Sequence, residues 1–230
     1  MVSVVLAVVV STLLGVVIEK VAYTPLRSAP RLSLLITAIG ISFLLENGAQ
    51  LIFGADSKSM DPMVTGNLSV GGISISYAAL ITILVSVAAM LLLTFLVQGT
   101  KLGKAMRAVS EDMGAAQLMG ININKTISFT FAVGSALAGI GSVLYMCAYP
   151  QASPTMGSML GLKAFVAAVL GGIGSIPGAV IGGFAIGMAE ALVSAAGLSV
   201  WKDGVVFAIL IVVLLVKPTG ILGRPITEKV

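Results

Sequence analysis

Apolar runs of membrane-crossing length recur along this chain, at 2–18, 32–53, 77–97, 127–148, 177–196 and, more briefly, 204–216. Crossing roughly 30 Å of hydrocarbon at about 1.5 Å per residue takes about 20 residues of helix. Inside lipid only a helix or a closed barrel satisfies every backbone N–H and C=O internally. Unbroken runs, rather than short alternating ones, select the helix. The chain is therefore read as an all-α polytopic transmembrane bundle. Composition agrees: 58% of residues are apolar and 10% charged, against about 25% charged in soluble domains. The start, MVSVVLAVVVSTLLGVV, has no basic stretch before its apolar run and no small-residue cleavage pattern after it. It reads as a retained span rather than a signal peptide.

Basic residues orient the spans, because cytoplasmic loops carry the excess of Lys and Arg. Lys20, Arg27 and Arg31 lie in 19–31; Lys101, Lys104, Arg107 and Lys125 lie in 98–126; Lys217, Arg224 and Lys229 lie in the tail. The 54–76 stretch has only Lys58, and 149–162 has no basic residue. The first three stretches are thus placed inside and the last two outside. For 98–126 and the tail both to be inside, an even number of crossings must separate them, yet three clear runs follow residue 126. The poorer segment 155–170, TMGSMLGLKAFVAAVL with Lys163 near its middle, is therefore expected to cross as a short or broken helix ending at GGIGSIPG, 171–178. Seven crossings then put residue 1 outside.

The net charge of +4 contains no run of consecutive basic residues and no interleaved aromatic platform, so nucleic acid is not an expected partner. With no histidine and one cysteine, Cys147, neither a metal site nor an intrachain disulfide is expected. Small residues recur every four positions: Gly174, Gly178 and Gly182; Gly183 and Gly187 followed by Ala191 and Ala195; Ser135 and Gly139; Ala138 and Ser142. Such spacing lets membrane helices approach closely. A glycine-lined pore is the rival explanation.

Within 98–126 lies SEDMGAAQLMGIN, 110–122, a polar stretch between two long apolar runs. Ser110 is placed as N-cap, Glu111 and Asp112 against the positive end of the helix dipole, and Gly120 as the residue after the C-cap. Over the helix expected at 113–119, Gly114, Ala115 and Ala116 leave a nearly bare backbone surface flanked by Leu118 and Met119. A helix this short is marginal alone in water and needs a surface to dock on. A headgroup-lying helix would carry a basic face, whereas 110–122 has two acids and no base. A protein groove suits it better.

Glu111, Ala115, Ala116 and Gly120 form a Glu-x-x-x-Ala-Ala-x-x-x-Gly pattern that resembles the cytoplasmic coupling loop of bacterial ABC importer permeases. More narrowly, VIEKVAYTPLRSAPRLSLLITAIGISFLLEN (17–47), LGKAMRAVSEDMGAAQLMGIN (102–122), GLKAFVAAVLGGIGSIPGAVIGG (161–183) and KPTGILGRP (217–225) resemble the permease family of branched-chain amino acid importers. The resemblance implies a subunit of the bacterial plasma membrane, not itself an enzyme, formed by one transmembrane permease domain over 1–230 with a coupling loop at 98–126. Members of that family carry further membrane segments before the present residue 1, which agrees with the external start. The implied partners are two ATP-binding cassette ATPases, a second homologous permease or a second copy of this chain, and an extracytoplasmic substrate-binding protein, with lipid around them. GTKLGKA (99–105) lacks the phosphate-loop glycine spacing and has Ala105 where Ser or Thr would bind magnesium. ATP and magnesium therefore belong to the partner subunits, and no cofactor is expected on this chain.

Ionisable groups inside spans are functional candidates by default, which singles out Glu46, Lys163 and Glu190. Each has a plainer explanation: hydration near the external end for Glu46, with Asn47 and Gln50; pairing within the bundle for Glu190; snorkelling for Lys163. Pairing of Lys163 with Glu190 or with Glu46 would offset the burial of both charges. The break holding Gly171, Gly172 and Gly174 is a candidate to offer free backbone groups to a bound amino acid, as broken helices do in transporters. The rival function is a self-contained channel or ion-coupled secondary transporter for a small solute. A scaffold without transport would leave the intramembrane charges and the loop helix without a purpose.

Overall fold

The computed structural model describes residues 2–27, 29–70, 73–217 and 219–223. Met1, Arg224 and Lys229, used above for topology, lie outside the described residues. The chain forms two compact units, Met1–Pro154 and Thr155–Val230.

The first unit opens with α1 (Val2–Ile18), which continues without a break into a π-helical turn, Glu19–Tyr23. Then come α2 (Arg31–Phe53), α3 (Tyr77–Gly99), α4 (Lys101–Glu111), α5 (Met113–Leu118) and α6 (Ile123–Ala148). Two small antiparallel ribbons interrupt this order. Strand β1 (Lys58–Ser59) pairs with β4 (Gln151–Ala152), and β2 (Asn67–Val70) pairs with β3 (Ile73–Ser76). The second unit holds α7 (Met156–Gly171), α8 (Ile176–Ala195), a 3-10 turn at Ser199–Trp201 and α9 (Lys202–Val216).

Six helical stretches among the described residues are long and apolar enough to cross a membrane. The protein is thus an all-α polytopic membrane bundle. The segment expected to be short or broken at 155–170 is one continuous helix of 16 residues, about 24 Å long. Helices outrun the apolar runs where polar caps start them early. Asn122 accepts the Lys125 N–H at 3.1 Å and so starts α6 at Ile123 rather than Ile127.

Close packing in both units relies on missing side chains. At the α1–α6 contact, a Cβ on Gly15 would stand 1.8 Å from Ser135 Oγ, and one on Gly139 would stand 3.0 Å from Val8 Cα. The Ser11 hydroxyl donates across the same seam to the Ser135 carbonyl at 2.8 Å. In the second unit a Cβ on Gly182 would stand 2.2 Å from the Ala167 carbonyl oxygen, beside a core of Val166, Leu170, Ile186 and Val206. The four-residue spacing of Ser135 with Gly139 and of Gly178 with Gly182 therefore serves helix approach.

Hydrogen bonding bears on the sidedness read from charge. Arg27, from 19–31, donates to Asn124, from 98–126, so these two basic stretches meet on one side. The β1–β4 ribbon joins 54–76 to 149–162, the two stretches placed on the other.

Candidate functional site

The 98–126 segment holds two helices where one was expected. Thr100 accepts the Gly103 N–H at 3.0 Å and starts α4, an amphipathic helix that runs on through Ser110 and Glu111. Ser110 is therefore not the N-cap of the following helix; its hydroxyl donates back to the Arg107 carbonyl at 2.7 Å. Glu111 closes α4 instead of opening α5. Asp112 performs both junction tasks, its N–H donating to the Ala108 carbonyl and its carboxylate accepting the Ala115 N–H at 3.0 Å. The reason is local: an ionised Asp in extended conformation satisfies the orphan donors of a helix start and favours its positive end, while 101–111 is rich in helix formers.

The end of α5 is a Schellman turn. Gly120 has φ +82°, its N–H donates to Gln117, and the Ile121 N–H donates to Ala116. Ala116 is buried against its own chain, while Ala115 and Gly114 are exposed. Leu118 and Met119 are 90% and 82% exposed. The face open to a partner is thus Gly114, Ala115, Leu118 and Met119, and the expected pair of alanines is split between inside and outside.

Beside this segment lies a cluster that the charge pattern did not single out. Glu19 has 0% exposure. Its Oε1 accepts from Arg27 and, at 2.9 Å, from Thr24 Oγ1; its Oε2 accepts from Ser128 Oγ at 2.6 Å. The other terminal nitrogen of Arg27 donates to Asn124. A visible signal was an acid closing a charge-free apolar run with a base eight residues later. Arg27, Met113 and Gln117 of α5, and Asn124 line an open groove of about 520 Å³.

In the second unit, Lys163 Nζ lies 2.6 Å from Glu190 Oε1 and 2.7 Å from Asp203 Oδ1. Of the two partners considered, Glu190 is in place, and Asp203 in the first turn of α9 is an addition. Lys163 and Glu190 are each 25% exposed. Two carboxylates on one ammonium leave the cluster with one negative charge in excess.

The glycine break does not offer free backbone at its start. The Leu170 and Gly171 carbonyls accept from the N–H groups of Ile221 and Leu222, and the Gly172 carbonyl accepts from Ser175. Gly171 and Gly172 are buried, and a Cβ on Gly172 would stand 2.3 Å from the Gly223 nitrogen. Gly174 is exposed and takes φ +92° with nothing near its missing Cβ. In the first unit, Glu46 is half-buried and Asn47 is exposed. The Asn47 amide donates back to the Phe43 carbonyl at 2.7 Å.

Residues 1–214 match the family described as branched-chain amino acid transport system / permease component. The chain is 46% identical to the high-affinity branched-chain amino acid transport system permease protein LivH of Salmonella typhimurium, over 97% of this chain and 74% of that one. It is 44% identical to the corresponding BraD protein of Pseudomonas aeruginosa, over 97% and 75%. A more distant match, the xylose transport system permease protein XylH of Escherichia coli, is 33% identical over 41% of this chain. No solved structure matches the chain.

Proposed function

The chain belongs to the permease components of branched-chain amino acid transport systems, and from that premise we propose that it forms half of the membrane passage of an ATP-driven importer for such amino acids. It is a multi-pass subunit of the bacterial membrane rather than an enzyme. A second homologous permease, or a second copy of this chain, completes the passage. Two ATP-binding cassette ATPases hold ATP and magnesium on the inner side, and an extracytoplasmic binding protein delivers substrate.

The observation that carries the ATP-driven reading is α5. It is a six-residue helix, capped at both ends, which keeps its small and apolar outer face uncovered on the basic side of the molecule. Closure of the ATPases moves this helix and shifts the spans between two packings. Such a shift needs differential affinity; moving an equilibrium from 1:99 to 99:1 takes about 5.5 kcal/mol. Glu46 and Asn47 in the first unit and, separately, Lys163 and Glu190 in the second are the polar groups we assign as candidates to meet the substrate. The Lys163–Glu190–Asp203 cluster, with one carboxylate in excess, suits an ammonium group. Among the glycines, Gly174 retains open space, whereas Gly171 and Gly172 serve packing.

The test is reconstitution of the chain with both ATPases, the second permease and the binding protein in lipid nanodiscs. Removing residues 113–118 is expected to abolish substrate-stimulated ATP hydrolysis while the chain remains inserted. Unchanged stimulation would refute the reading. Solute exchange by the purified chain alone in liposomes would favour the self-contained transporter instead.

A further inference from the structure

Glu19 is the one charged side chain fully withdrawn from solvent among the described residues. Withdrawing a carboxylate from water costs several kcal/mol and is offset only by good pairing and complete hydrogen bonding. Here it accepts from three side chains, Arg27, Thr24 and Ser128. Apolar packing alone would not need such a group in this place. What the group adds is fixed geometry: both Glu19 oxygens and both terminal nitrogens of Arg27 are paired, although the buried Arg27 Nε has no hydrogen-bond partner among the described residues, and such bonds hold their members in one arrangement. The backbone under it is a π-helical turn, a rare form that occurs frequently at functional sites.

The members come from separate parts of the first unit. Glu19 and Thr24 belong to the continuation of α1, and Ser128 to the first turns of α6. Tyr23 adds a ring contact with Phe131 of α6, centroids 5.1 Å apart. Arg27 then reaches outward to Asn124, two residues beyond Asn122, the cap of α6, and four beyond Gly120, the end of α5. The first turn of α6, which the chain enters on leaving α5, is thus tied to the continuation of α1, while Arg27 and Met113 and Gln117 of α5 line one open groove of about 520 Å³. The result is a helix seated on its neighbours through Ala116, 3% exposed, with its outer face open and its root next to two spans that Gly15 lets approach closely at Ser135.

We propose that Glu19 and Arg27 are positioning residues for energy coupling, pinning the exit of α5 to the α1–α6 pair so that displacement of α5 moves both spans together. The proposal rests on α5 being the ATPase contact. Without the pin, motion of α5 is absorbed in residues 119–124, and hydrolysis continues with little transport.

The test uses the reconstituted complex and compares Arg27→Gln with Asn124→Ala, with Lys125→Ala as a neighbouring control. Three quantities are read: ATPase association, ATP hydrolysis, and substrate moved per ATP. Both variants are expected to keep association and hydrolysis within about twofold while transport per ATP falls about tenfold, inside the roughly 5- to 150-fold range of typical couplings. Asn124 is exposed, so its variant keeps the buried Glu19–Arg27 pair and tests the pin even where Arg27→Gln does not fold. Unchanged transport per ATP in an intact complex overturns the proposal. So does a parallel fall in hydrolysis and transport with lowered thermal stability, which marks a merely structural role. Failure of the unaltered chain to bind the ATPases in the same preparation instead overturns the reading of α5, and is visible separately.

Discussion

Lys163 of α7 and Asp203 of α9 meet at 2.7 Å, and Glu190 of α8 approaches the same ammonium at 2.6 Å. One cation thus ties three helices, and its removal differs in kind from removal of either acid. Glu190→Gln or Asp203→Asn leaves a one-to-one pair, whereas Lys163→Met leaves two carboxylates facing each other. Exposed pairs contribute about 0–1 kcal/mol and breaking a buried one costs about 3–5 kcal/mol; these partly exposed groups lie between. The expected order of destabilisation is Lys163→Met well above either acid variant, with the triple variant Lys163→Met, Glu190→Gln, Asp203→Asn largely recovered. Thermal unfolding in nanodiscs checks it. An acid variant as damaging as Lys163→Met would contradict this account.

The α7–α8 turn makes a steric prediction. A Cβ at Gly171 would stand 2.0 Å from the Gly178 carbonyl oxygen, and one at Gly178 would stand 2.3 Å from the Gly171 carbonyl oxygen. Both obstacles are backbone and cannot rotate away. Gly171→Ala and Gly178→Ala are each expected to cost about 3 kcal/mol, the upper end of overpacking. Gly187 has nothing within 4 Å, so Gly187→Ala should gain about 0.5–1 kcal/mol from helix propensity. Equal unfolding temperatures for the three variants would show that the contact is not close.

Five spans were legible because each run is long enough, and apolar enough, to be decided by composition alone, whereas 204–216 is shorter and 155–170 was placed only by counting crossings between basic stretches. Their ends were not: Asn122 and Thr100 start helices through side-chain caps that lie outside the apolar runs. The same limit misplaced Ser110. It has the chemistry of an N-cap, but Asp112 two residues on is a stronger one, and α4 extends to meet it. Lys163 was visible as a charge in an apolar segment, and one of its two partners was among the candidates considered. Asp203 sits outside the apolar run at 204–216 and drew no notice as a loop residue. Glu19 was hidden for the opposite reason. Beside Lys20 it resembles an ordinary charged helix end, and only the fold brings Ser128 to it across 109 positions. The break expected over 171–178 is present but narrower, four residues at 172–175 between α7 and α8. That its carbonyls are taken by residues 221 and 222 depends on a tertiary return of the chain that no local pattern encodes.

Gly120 tests the end of α5 without touching its face. Its φ of +82° lies where a side chain costs about 1–2 kcal/mol, and no atom lies within 4 Å of a Cβ built there. Gly120→Ala should therefore act through backbone strain alone, loosening α5, and Gly120→Asn should be milder because Asn tolerates this region. Hydrogen exchange of the 115–121 amides reads it directly. Protection falling in the order Gly, Asn, Ala is expected; indistinguishable exchange would mean that the Schellman turn does not hold the helix.

Leu118 gives the sharpest test of the docking face, because burial and exposure alternate within two residues. Ala116 is 3% exposed and Leu118 is 90% exposed, so Ala116→Leu injures the chain's own packing while Leu118→Glu meets nothing in the chain. If an ATPase groove buries Leu118, its replacement forfeits roughly 1.5–3 kcal/mol of apolar burial, or about 10- to 150-fold in affinity. Leu118→Glu should thus weaken ATPase binding by that factor with insertion and unfolding temperature unchanged. Titrating labelled ATPase against nanodisc-held chain measures it. Were Leu118 instead seated among lipid headgroups, the charge would weaken interfacial anchoring and leave ATPase affinity where it was, so the two destinations for this side chain give opposite answers in one titration.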